Sequence, residues 1–201
     1  VVLADPDGNY FCVIAAGEHA RDPGLRLAAG GAPRFVDDVA GLPGPDDFAY
    51  RGARALVALH ERELRAFVPV WRRFVAAGLA LPETDDTDYL SAEHLLLHVL
   101  RAAGRYLTWT CRQLGLPDPA VPDAPDVSEI AARADEFMEA VLARWREALR
   151  EAPPTRMEDQ AHTSNWGAPM TIESMLEHAV VHPMRHTFQL EELMARAGSS
   201  G

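Results

Sequence analysis

Met175–Leu190 reads MLEHAVVHPMRHTFQL, and the spacing of its histidines decides how the chain is read. On a helix turning about 100° per residue, with His178 set at zero, Met175 and Leu193 both fall at about 60°. His182 then falls at about 40° and His186 at about 80°, one on each side of that apolar line. Both point at the core. Imidazoles four positions apart have Cβ atoms roughly 5–6 Å apart, which lets both reach one metal ion at about 2.0–2.1 Å. Pro183, between them, removes an amide and predicts a kink. It also stands where the metalloprotease motif has its Glu, so this spacing alone weighs a metal pair and coincidence evenly. His178 shares its direction with Arg196, lies within about 20° of Gln189, and reads as a surface histidine.

The neighbouring sequence is helical as well. Thr171 is placed to cap this last helix, which runs to about Ala197. Tyr50–Gly78 carries Leu56, Val57, Leu64, Phe67, Val68, Trp71, Phe74 and Val75 at three-and-four spacing, an amphipathic helix. Pro82 and a polar run end it. Ser91 predicts the N-cap of a second helix reaching Leu114. After the proline-rich Pro117–Pro125 connection, Asp126–Glu129 resembles a capping box for a third helix to about Glu151. Ala152–Met170 reads as a long irregular loop in which Trp166 either covers a pocket mouth or anchors packing. Four such helices predict an all-α four-helix bundle.

The other histidines sort by face. His98 lies at the apolar border of the second helix, between Arg105 and the Ala102–Trp109 side, whereas His94 shares a direction with Arg101 and Arg112 and reads as solvated. His98 beside His182 and His186 would make a His₃ set, a recognised catalytic metal-site type. His60 falls in the middle of the first helix's apolar stripe. A hydrogen-bonded core histidine outweighs a ligand there by about three to one. His19 and His162 lie in irregular segments and carry no spacing argument.

Composition narrows the classes. The 201 residues are 48% hydrophobic and 24% charged, which fits an ordinary globular protein and excludes collagen-like, low-complexity and disulfide-scaffold chains. The formal charge of −11 argues against nucleic acid as a partner, since duplex binding needs a positive footprint. All 19 basic residues are Arg. The absence of Lys excludes Schiff-base chemistry and a P-loop lysine. With abundant Ala and Pro, it also suggests a GC-rich coding sequence. Cys12 and Cys111 make no disulfide framework, and two thiols suit a reducing cytosol. Stretches free of charge and His reach ten residues, as in Gly8–Gly17, where a membrane span needs about twenty. A cytoplasmic protein with no membrane partner is expected.

Residues 1–16 read as a β-hairpin: Val1–Ala4, the turn signal Asp5-Pro6-Asp7-Gly8-Asn9, then Tyr10–Ile14. Two strands alone are marginal in water. Residues 17–48, rich in Gly, Pro, Ala and Asp, read as a linker, and the bundle occupies 49–197.

Two resemblances follow from these motifs. Met175–Leu190, with His182-x-x-x-His186 followed by Gln189-Leu190, resembles the last helix of the DinB-like metal-binding four-helix-bundle superfamily. Ser91–Ala102, whose leucine-rich start ends in His98, resembles that family's second helix. Order, spacing and helix count agree over roughly residues 49–197; Pro183 and the Pro117–Pro125 connection depart from the commonest pattern. The resemblance implies a divalent metal held by His98, His182 and His186, zinc or nickel first, with iron and manganese also reported among relatives. It further implies a transferase or isomerase that activates a low-molecular-weight thiol, mycothiol-like given the GC-rich character, toward a small electrophile, and by analogy a homodimer. Arg105 reads either as an anion clamp for substrate or, with at least equal weight, as a solvated Arg on a polar face, and Gln189 is the expected support of a ligand imidazole or of metal-coordinated water; no catalytic side chain is assigned. The alternatives are a noncatalytic metal-binding or stress-related module, and a metal-dependent hydrolase. Separately, Asp5–Val13 resembles the terminal hairpin of a vicinal-oxygen-chelate (glyoxalase/bleomycin-resistance-like) module. Cys12 stands where metal-using relatives carry Glu, so no ligand is carried over. The chain is thus expected to be the tail of such a module fused to a bundle.

Overall fold

The computed structural model describes residues 2–4, 10–12, 51–150, 152 and 160–199. The chain divides into two units, Val1–Gly41 and Leu42–Gly201. In the first, β1 (Val2–Ala4) pairs antiparallel with β2 (Tyr10–Cys12), with Leu3 opposite Phe11. That is the pairing expected of the hairpin. Its turn, residues 5–9, and the expected linker at 17–48 lie outside the described residues.

The second unit holds α1 (Arg51–Ala76), α2 (Ala92–Leu114), α3 (Ile130–Ala148) and α4 (Ile172–Gly198). This is the four-helix architecture read from the apolar periodicity. The principal packing pairs are α1 with α4 and α2 with both α3 and α4. Leu64, Phe67 and Phe74 from α1 meet Leu95, Leu96, Leu100 and Leu107 from α2 in a fully buried core. Three tryptophans bury their rings there and still satisfy their N–H groups. Trp71 Nε1 donates to the Ala92 carbonyl (2.6 Å), Trp109 to Thr163 (3.0 Å) and Trp145 to Ala103 (3.1 Å). No helix among the described residues is long and apolar enough to cross a membrane.

The helix ends show which local signals act. Ser91 Oγ accepts from the His94 amide and Thr171 Oγ1 from the Ser174 amide, so both expected caps form. Gly115, in the left-handed region at φ 68°, closes α2 by donating to the Arg112 carbonyl. The capping box at Asp126–Glu129 does not form. Instead the Glu129 and Ile130 amides donate to the Asp126 main-chain carbonyl, and Glu129 enters α3 with no side-chain cap. A tight turn thus satisfies the amides that the carboxylate would have taken. Helix α3 also ends at Ala148, before the expected Glu151. Two short features escaped the sequence pattern: a 3₁₀ turn at Thr87–Tyr89, and a two-residue ribbon of β3 (His162–Thr163) with β4 (Pro169–Met170). The ribbon brings order to a loop read as irregular, and the Trp109 bond to Thr163 ties it to α2.

Candidate metal centre

The Ser91 cap sets the start of α2 and so the direction of His98; the Thr171 cap does the same for His182 and His186 on α4. His182 and His186 are buried and His98 is half-buried, matching the faces assigned by helical angle. The three rings converge. Their centroids are 4.9 Å apart for His98–His182, 5.5 Å for His98–His186 and 4.9 Å for His182–His186. One ring nitrogen from each lies within 4.8 Å of the others. Ligands of one tetrahedral ion stand roughly 3.3 Å apart, so side-chain adjustments of about an ångström would let the set hold a cation.

Hydrogen bonds settle how two of these rings present themselves. Asp88 Oδ2 lies 2.9 Å from His98 Nδ1; a carboxylate only accepts, so Nδ1 carries a hydrogen and Nε2 is the nitrogen turned to the other rings. Gln189 Oε1, 2.9 Å from His186 Nδ1, fixes the same tautomer there. His98 Nε2 and His182 Nε2 stand 3.0 Å apart, and one hydrogen at most fits between them. The His182 pKa is driven well below its ordinary value, first by burial and then by His186 and His98. A neutral imidazole is the form that binds metal. The donor set therefore fits a divalent cation: three converging ring nitrogens, with the outer nitrogens of His98 and His186 anchored.

A family model described as DinB family matches residues 79–200, which span α2, α3 and α4 and all three histidines. The chain belongs to the DinB family. No curated protein and no solved structure matches it. The match does not reach residues 1–16, so nothing in it speaks for the glyoxalase-like resemblance of the hairpin.

Several neighbours of the DinB site carried no sequence signal. Asp88 also accepts from Arg101 Nη2 at 2.9 Å, so the carboxylate joins α2's first turns to the 3₁₀ turn before it. Tyr89, next in that turn, lays its ring 5.4 Å from His98 and 5.7 Å from His186. On the other side, the Tyr106 hydroxyl lies 3.1 Å from His178 Nε2, and its ring stands edge-on to His182 at 5.6 Å. Trp166 packs 5.1 Å from His178. His178 is therefore half-buried beside the triad and not the surface residue its helical angle suggested, because the 160–170 loop folds over it. His94, read as solvated, is half-buried and bonds Ser91 Oγ through Nδ1 at 2.9 Å. Arg105, read as an anion clamp or a solvated Arg, is exposed on α2. The guanidinium at the triad is that of Arg185, whose Nη2 donates to His186 Nε2 at 3.1 Å.

His60 and Pro183 explain each other. Proline has no amide hydrogen, so the carbonyl four residues back, Ala179, loses its helical donor. His60 Nδ1, reaching from α1, donates to that carbonyl at 2.9 Å. His60 is fully buried against Trp145, its Nε2 has no partner among the described residues, and burial pushes its pKa down to about 4. It is a core histidine, as weighted, with a specific task. It supplies the bond that α4 lacks between the turns bearing His182 and His186.

Proposed function

We propose that this DinB bundle holds a divalent cation, zinc or nickel first and iron or manganese next, through His98, His182 and His186, and uses it to activate a low-molecular-weight thiol toward a small electrophile. One observation carries the reading: three imidazoles from two helices bring ring nitrogens within 4.8 Å of one another, with the Nδ1 atoms of His98 and His186 already bonded to Asp88 and Gln189. Three protein ligands leave a position for an exchangeable one, the mark of a catalytic site as opposed to a closed structural one. A divalent ion held by His98, His182 and His186 would supply Lewis acidity there, favouring the thiolate form of a thiol at neutral pH.

The protein groups then have separable tasks. Asp88 and Gln189 hold two rings in the binding tautomer. Tyr89 and Tyr106 wall the centre on either side and limit water. The Tyr106–His178 pair offers a hydrogen-bonding station beside His182, suited to holding the polar end of a substrate. The thiol's proton leaves to solvent, and its sulfur electron pair forms the new bond to the electrophilic carbon as that carbon's π bond opens or its leaving group departs with the displaced pair, which then takes a proton from solvent. The thiol is proposed to be mycothiol-like.

The test is a conjugation or isomerisation assay over thiols and electrophiles, using metal-loaded full chain. Turnover should require both metal and added thiol and vanish in His182→Ala. Turnover without thiol would move the reading to a hydrolase, and metal-dependent stabilisation with no turnover would leave a binding module.

A further inference from the structure

Helix α4 runs unbroken from Ile172 to Gly198 with Pro183 inside it, between the two histidines that it lends to the centre. A proline there bends a helix, because its ring crowds the carbonyl four residues back and leaves that carbonyl without its amide donor. The carbonyl is that of Ala179, and His60 Nδ1 reaches it from α1 at 2.9 Å. Just beyond the proline, Thr187 Oγ1 donates to the Pro183 carbonyl at 3.0 Å, a side-chain bond of the kind that accompanies a bent turn. His182 stands on one side of this joint and His186 on the other, so the bend enters the spacing between their rings. Stability does not call for the arrangement. His60 is fully buried, and its Nε2 has no partner among the described residues. A buried acceptor without a donor is a cost. A leucine in place of His60 with an alanine in place of Pro183 would restore the helical bond at Ala179 and bury no unpaired polar atom. What His60 and Pro183 provide together is a bend held in place, since the His60 ring itself packs against Trp145 of α3 at 4.6 Å.

We infer that His60 is a positioning residue of the metal centre: through its bond to Ala179 it holds the bend of α4 at Pro183, and so holds His182 and His186 at the spacing one cation requires. This rests on the metal reading above. It extends the centre to α1, a helix that contributes none of the three ligands. The triad nitrogens lie within 4.8 Å of one another, where ligands of one tetrahedral ion stand roughly 3.3 Å apart. A bend that relaxed by even about 0.5 Å at the rings would loosen the grip on an ion.

The experiment titrates full-length protein with Co(II) against a chelator, visible absorption reporting coordination, while urea unfolding of the apo protein reports stability. His60→Leu should lose about tenfold or more in Co(II) affinity with helicity kept. His60→Asn, whose side-chain amide can offer an N–H in place of Nδ1–H, should stay near wild type. Pro183→Ala should weaken Co(II) binding even with His60 present, because a straightened helix moves the ligands. The double variant of His60→Leu with Pro183→Ala separates the two roles. Its stability should recover, as the new amide takes the Ala179 carbonyl, yet its Co(II) affinity should stay low. Wild-type affinity in His60→Leu or in Pro183→Ala would overturn the inference while leaving the metal centre intact. So would His60→Asn as weak as His60→Leu, or an affinity that returns with stability in the double variant, which would make His60 a support of folding alone. If His60→Leu does not fold, Pro183→Ala decides the question by itself. Wild-type protein that takes up no Co(II) would instead overturn the metal reading, and this inference with it.

Discussion

Two clusters of buried polar groups among the described residues are treated in opposite ways. Between α1 and α3, Glu61 is almost wholly buried but meets opposite charge: Arg146 Nε donates to it at 2.7 Å and Arg65 Nε at 3.0 Å. Arg65 continues to Glu139, whose carboxyl it holds below the usual range. Donors and acceptors there are matched, and nothing from outside is needed. Between α2 and α4, His98, His182 and His186 meet one another. The outer nitrogens of His98 and His186 are matched by Asp88 and Gln189 and the inner one of His186 meets Arg185, while one hydrogen between His98 and His182 is all that the spacing admits. One cluster pairs opposite charges, and the other brings three ring nitrogens within 4.8 Å of one another. Buried polar groups usually find partners of opposite character inside the protein, so the set of converging imidazoles is the candidate for holding a ligand.

Breaking the charge-paired cluster should cost the most stability. Glu61→Ala leaves two guanidiniums without their carboxylate; both reach water in part, so about 3 kcal/mol is expected, the low end for breaking a buried pair. Denaturant unfolding measures it, and metal stoichiometry should stay at the wild-type value. A parallel loss of metal would show that the two clusters are not separate.

His60 sharpens the contrast through pH and through a mutant cycle. Its folded pKa of about 4 lies below the unfolded value near 6.5, so the unfolded chain binds more protons between these limits. Its neutral form therefore favours folding fully above pH 6.5, and that advantage fades as pH falls toward 4, by about 3 kcal/mol in all. Apo His60→Leu should lose that part of the acid sensitivity in urea titrations run at several pH values. At neutral pH the same variant orphans the Ala179 carbonyl, costing about 1–2 kcal/mol. Pro183→Ala supplies the missing amide, so the double variant should recover most of that cost. An unchanged penalty in the double variant would refute the pairing of His60 with Pro183.

Asp88→Asn tests the imidazole cluster with the smallest change. An amide can present its NH₂ to His98 and reverse the tautomer, and metal affinity should drop about tenfold. Competition against a chelator measures this; helicity should not move. Unaltered affinity would mean that Asp88 serves Arg101 alone.

What could be read before folding follows the range of the forces involved. The caps Ser91 and Thr171, and the inward faces of His182 and His186, depend on residues within one or two turns, and local pattern shows them. Asp88 could have been flagged only as an acid just upstream of a cap. Its contact with His98 needs the 3₁₀ turn, which three residues cannot advertise. His178 was misread because helical angle ranks faces of one helix and says nothing of a loop laid over it. Arg105 and Arg185 differ in the same way. Arg105 shares a direction with His98, whereas Arg185, on another face by angle, has a side chain long enough to bring Nη2 to His186 Nε2.

The central claim is that positions 98, 182 and 186 complete one site by taking up an ion. Elemental analysis of untagged wild-type protein beside His182→Ala tests it most directly. The account requires about one divalent ion per chain in the first and essentially none in the second, with helicity retained. Equal metal content in the two proteins, or none in wild type after exposure to zinc and nickel, would contradict it.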